Sequence, residues 1–251
     1  MAGGLSVDNH PTVSDPSAMR DFPQARNCER DTLLDYVDLS RACVVLDVQA
    51  AGGYLADEVR RRLGSGATIV CLEPNDALRG RLDPAYTALA DPLEHFRSLG
   101  DGTVDIALGL VGLHHSRSHA ATIGECHRVL RPGGELAVCD VAQGSRLAAW
   151  LNGFVDRNCP SGHAGNFPAP GSLARLCREA GFEHVLEEPR EVPWRFARRA
   201  DIAVFFKGLF GLSASVDAVD RAIDDFFTVR ESAGGCSVDW QLLYAHARKP
   251  A

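Results

Sequence analysis

No apolar run among the 251 residues is long enough to cross a bilayer, and no charged-then-apolar leader opens the chain. Both absences point to a cytoplasmic protein with no membrane partner. Positive charge is not in excess either: 26 Lys and Arg face 33 Asp and Glu, a formal net charge of −7. Such a chain has no general attraction for a polyanion, so nucleic acid is not an expected partner. The eight cysteines contain no C-x-x-C pair, which argues against a zinc site or disulfide framework and for reduced thiols. The dinucleotide signature G-x-G-x-x-G is missing, so NAD and FAD fall behind. No internal repeat is visible.

What is present centres on Cys43 to Tyr54, CVVLDVQAAGGY. The run to Val48 is too continuously apolar for a half-solvated strand and reads as a central parallel strand covered on both faces. Asp47 falls at its carboxyl end, and small residues then turn the chain into a helix over 55–63. In open α/β sheets ligands bind beyond the carboxyl ends of the strands, where small residues admit them close to backbone N–H groups. With 45% hydrophobic residues, the length suits one α/β domain with a cap.

Further strands are expected over 67–72, ending at Glu73, and over 84–90, followed by Asp91 and Pro92. A fourth is expected over 103–110, ending at Leu110, and a fifth inside Arg128 to Val141 after a Pro-Gly-Gly turn. A helix over 172–180 and a strand over 183–186 come next, and 237–247 is the last strand. Residues 1–30 read as a mobile arm or lid, and a helix is expected at 31–39. Residues 31–190 and 236–251 then form the Rossmann-like domain. Residues 191–235 read as an inserted helical cap rich in Trp and Phe, which needs something apolar to cover.

This order of pieces, with the VLRPGG turn, resembles the class I S-adenosylmethionine-dependent methyltransferases. The resemblance implies a seven-stranded, mostly parallel, doubly wound sheet with an antiparallel final strand, and S-adenosylmethionine as cofactor. It places Asp47, Gln49, Ala51 and Gly53 at the methionine end and Glu73 with Pro74 at the ribose. Asp91 and Pro92 go to the adenine, and Leu110 joins the cofactor wall. Glu73 also lies twenty positions after Gly53, close to the separation at which a β–α–β unit offers a carboxylate to a ribose diol. The family's usual loop is Asp-x-Gly-x-Gly-x-Gly, and here Gln49 and Ala51 stand at the first two glycines. Either the loop is reshaped around a nucleoside or the pocket no longer holds that cofactor well.

Methyl transfer from a sulfonium mainly requires alignment and exclusion of water, with a base when the acceptor must lose a proton. His163, in a Gly- and Pro-rich loop, and His115, beyond the fourth strand, are the candidates for that role. His114, Asn166, Trp194 and Phe205 are expected to contact the acceptor, and no metal is expected. The expected function is methylation of a small molecule. The rival readings are a non-methylating enzyme on the same fold, running a cyclisation, rearrangement or elimination, and a non-catalytic binding protein. Monomer and homodimer both stay open.

Overall fold

The computed structural model describes residues 18–251. Seven strands form one sheet in the order β3-β2-β1-β4-β5-β10-β6. These are β1 (Val44–Val48), β2 (Thr68–Leu72), β3 (Thr87–Leu89), β4 (Val104–Leu110), β5 (Leu130–Asp140), β6 (Glu183–Glu191) and β10 (Gln241–Arg248). The first five run parallel, and β10 lies antiparallel between β5 and β6.

Alternation along the strands feeds two cores, one on each face, because successive side chains point to opposite sides. Val45, Ile69, Ile106, Leu108 and Ala137 join one cluster, while Leu46, Val70, Leu72, Ala107 and Val138 join the other. The helix Tyr54–Leu63 covers the first face, with Leu55, Ala56 and Val59 buried and three arginines in its last turn, where cations suit the helix dipole. The helices His119–Val129 and Ser172–Glu179 cover the second face.

Four local readings are corrected. The Pro132-Gly133-Gly134 piece lies within β5, with an irregular register against β4. Gly134 is required there because a Cβ would stand 2.9 Å from the carbonyls of Asp105 and Arg131. The insertion after β6 is not purely helical. Beside the helices Arg199–Leu209 and Val216–Phe226, it builds a second antiparallel sheet in the order β7-β9-β8, from β7 (Trp194–Phe196), β8 (Val229–Ser232) and β9 (Gly235–Val238).

The arm assigned to residues 1–30 lies outside the described residues up to 17. Beyond that point the chain is packed: helices cover Ala18–Asp21 and Asn27–Leu34, and Met19, Ala25 and Glu29 are buried. The helix expected at 31–39 therefore begins earlier and ends at Leu34. Among the described residues no helix is long and apolar enough to cross a membrane, and no disulfide joins any of the eight cysteines.

Candidate active site

The strand order reverses direction between β1 and β4, and ligand crevices in open sheets form at such a switch point. A cavity of about 750 Å³, counted out to its mouth, opens there. Asp47, Gln49, Ala50 and Ala51 line one side, and Leu110, Val111, His114 and His115 line another. Its apolar end is closed by Leu151, Trp194, Leu209, Phe210 and Trp240, with Tyr54, Arg26 and Glu29 beside them.

The β1 loop keeps the backbone that glycines would adopt. Gln49 has φ 62°, Ala51 φ 48° and Gly53 φ 92°. Val111, at the end of β4, is also at positive φ, 53°, an unusual conformation for a β-branched residue. Three strained non-glycine residues thus border one cavity. Gln49 can carry its side chain because residue 112 is glycine: a Cβ there would fall 2.6 Å from Gln49 Cβ.

The side chain of Gln49 runs to the acid at the end of β2. Its Nε2 donates to both Glu73 oxygens at 3.3 and 3.2 Å. Glu73 also accepts from the N–H groups of Ala51 (2.7 Å) and Asn75 (2.8 Å). Glu73 is fully buried, and burial pushes its carboxyl up to about 7. Asp47 is pushed up to about 8, first by burial and then by the Glu73 charge, and its Oδ2 has no hydrogen-bond partner. Of the two acids, Glu73 has its oxygens satisfied within the chain, and only Asp47 keeps an oxygen without a donor.

Across the cavity, His114 donates through Nδ1 to Asp140 Oδ1 at 2.8 Å, and Asp140 Oδ2 accepts the His114 backbone N–H at 2.8 Å. His163 reaches Asn152 Oδ1 through its own Nδ1 at 2.8 Å. Asn152, in a wider, π-helical turn over Trp150–Val155, is itself held by Gly165 through one donated and one accepted bond. The Nε2 atoms of His114 and His163 are buried without a partner. Ring centroids are 4.1 Å apart for His114 and His115 and 5.4 Å for His114 and His163. Burial and the neighbouring imidazoles hold His115 well below the usual histidine range and His163 down to about 3.

Of the sequence-predicted residues, the fold gathers Asp47, Gln49, Ala51, Leu110, His114, His115 and Trp194 on this wall. Glu73 stands behind Gln49, and His163 stands behind His114. Asp91 is turned away: its Oδ2 accepts from the Ser98 N–H at 2.7 Å, and neither it nor Pro92 lines the cavity. Pro74 and Gly53 do not line it either. Phe205 is fully buried in the insertion against Phe22, Trp194 and Phe196. Asn166 is exposed and donates to the Ser116 carbonyl, so it braces a loop.

The sequence reading missed Arg26, Glu29, Tyr54 and Trp240, and also the pair Asp140 and Asn152 that orients two histidines. Asp140 had a signal, as an acid ending a buried strand. Glu29 had none. It is buried inside a segment that looks polar, bonded by Arg26 and by the Trp194 Nε1 at 2.8 Å.

The methyltransferase-domain family profile matches residues 22–187, about two-thirds of the chain. The chain belongs to the class I S-adenosylmethionine-dependent methyltransferases. This methyltransferase is 30% identical over 179 residues to the ubiquinone biosynthesis O-methyltransferase of Xanthomonas oryzae pv. oryzae, covering 64% of this chain and 73% of that one. To the enzyme of the same description from Neisseria meningitidis it is 25% identical, over 60% and 69% of the two chains. Among solved structures, phosphoethanolamine N-methyltransferase 2 of Haemonchus contortus superposes with a TM-score of 0.61 at 14% identity, over 90% of this chain and 53% of that one. The cyclase SpnF superposes with a TM-score of 0.59 at 19% identity, over 88% and 80%. At such identities these two show the fold alone.

The residues present fit S-adenosylmethionine. The unpartnered Asp47 oxygen belongs to a buried carboxyl that a cationic methionine end would favour in its ionised form, and the loop backbone beside it has a glycine-like conformation. Glu73 is a carboxylate suited to a diol, with the Gln49 amide as the group to be displaced. When bound, the cofactor supplies an electrophilic methyl group on a sulfonium.

Proposed function

We propose that the enzyme methylates a hydroxyl group on a small, partly apolar acceptor. One observation carries the reading: a single cavity joins the Asp47 to Ala51 loop, where the donor belongs, to His114 and His115, with an aromatic end closed by Trp194, Phe210 and Trp240. An in-line displacement needs donor and acceptor held next to each other in one water-poor space, and this cavity brings the two sets of residues to a single crevice. Asp47, Gln49, Ala51 and Glu73 are assigned to the cofactor, and Leu110 to the wall between the two ligands. His115 is assigned to the acceptor's hydroxyl, with His114 and Trp194 positioning the rest of it and His163 acting from behind His114. The relatives named O-methyltransferases of ubiquinone biosynthesis support an oxygen as the acceptor atom.

The test is a panel of small hydroxylated aromatic compounds incubated with enzyme and S-adenosylmethionine, followed by mass spectrometry. The expected outcome is S-adenosylhomocysteine formed in step with a product heavier by one methylene unit. Loss of acceptor without S-adenosylhomocysteine would instead support a non-methylating reaction, the second reading. Gln49 favours that rival, because its amide bonds the acid that a ribose would use. No heat and no thermal stabilisation at high S-adenosylmethionine would show that the donor does not bind and would remove the first reading altogether.

A further inference from the structure

We infer that His114, His115 and His163 form a binding site for a zinc-class divalent transition-metal ion, contrary to the metal-free expectation from sequence. One ring nitrogen from each histidine lies within 4.8 Å of those from the other two. All three side chains are buried, at 2%, 9% and 4% exposure. Two of the rings are already presented as ligands. Asp140 accepts the Nδ1 proton of His114, and Asn152 Oδ1 accepts that of His163, so each Nε2 keeps its lone pair and has no partner. The orientation of Asn152 is itself settled, because its Nδ2 donates to the Gly165 carbonyl while Oδ1 accepts the Gly165 N–H. A ligating histidine whose other nitrogen donates to a carboxylate or carbonyl oxygen is the usual outer arrangement of a metal site.

The donor set selects the ion. Magnesium and calcium take oxygen ligands, whereas three neutral imidazoles suit zinc and its neighbours. Three protein ligands with a fourth position open is the pattern of a catalytic zinc site. Nitrogens that lie within 4.8 Å of one another can reach the separations set by bonds of about 2.0–2.1 Å to a single ion with little side-chain movement. His114 and His115 also line the cavity, which turns the open position toward the acceptor. An acceptor hydroxyl bound there loses its proton to bulk water and keeps the O–H electron pair as an alkoxide or phenolate held by the cation. That last step rests on the methyl-transfer reading; metal binding does not.

The experiment uses the full chain, stripped with chelator and dialysed against Zn2+, with elemental analysis for stoichiometry and Co2+ absorption as a probe of geometry. The expected result is one ion per chain, a four-coordinate Co2+ spectrum, and loss of both in His114→Ala and in His163→Gln. Circular dichroism confirms that each variant is folded. The positioning variant Asn152→Ala should keep the spectrum and bind about 10–100-fold more weakly. Substoichiometric metal, or one ion that survives both histidine substitutions in folded protein, overturns the site. Titration of the same stripped protein with S-adenosylmethionine separates the two readings. Donor binding without metal binding sinks only this inference, and metal binding without donor binding sinks only the methyl-transfer reading.

Discussion

Gln49 carries the most unusual combination in the site: a left-handed backbone, a buried amide and a bond to the acid of the ribose position. A non-glycine residue in that conformation costs about 1–2 kcal/mol, and its amide must leave Glu73 before a diol can bind there. Gln49→Gly relieves that backbone cost but gives up the amide's bonds to buried Glu73, and is expected to change fold stability by no more than about 1 kcal/mol in denaturant midpoints. It should also tighten S-adenosylmethionine binding in calorimetry. Weaker binding in that variant would mean that the Gln49 amide contacts the nucleoside directly. Asp47 and Glu73 were legible because a buried apolar run that stops at an acid marks a strand tip. Asp91 was not, because the turn that follows it brings the Ser98 N–H to its carboxylate, and no spacing in the chain announces that turn.

The insertion after β6 is held by its aromatics. Trp150, from the π-helical turn, is fully buried, stacks on Phe154 at 4.7 Å and meets Phe206, Phe210, Phe226 and Phe227 edge-on. Trp150→Ala should cost about 3–5 kcal/mol and lower the melting temperature on the order of 10 °C for a chain of this length. A scan within a degree or two of wild type would show that the insertion does not share the main core's cooperativity. The inserted segment was legible from its crowd of Trp and Phe, but its three-stranded sheet was not. Strands of three or four residues show too little alternation to register, and β7 gains its partner only when Trp194 and Phe196 meet Val238 and Cys236.

For the molecule as a whole, two buried acids raised above their ordinary values near 3.8 and 4.5 couple folding to pH. The folded state keeps protons that the unfolded chain has already lost, so stability falls as pH rises from the ordinary values near 3.8 and 4.5 and levels off once it has passed about 7 and 8. Asp47→Asn should flatten that fall, as read from denaturant midpoints across the same range. A cationic donor favours the ionised acid, so its affinity should rise over that range with release of a proton, and Asp47→Asn should lose much of that rise. The same substitution leaving both slopes unchanged would exclude Asp47 as their source. The amino-acid sequence by itself marked where most strands of the main sheet lie, since continuous apolar runs, terminal acids and glycine-bearing turns are local properties of the chain; the order of those strands is a tertiary result. Only the tertiary structure decided what surrounds the cavity. Burial of Glu29, the capture of Glu73 by Gln49, and the meeting of His114 with His163 across a loop all depend on groups far apart in sequence, brought together by packing of the two cores.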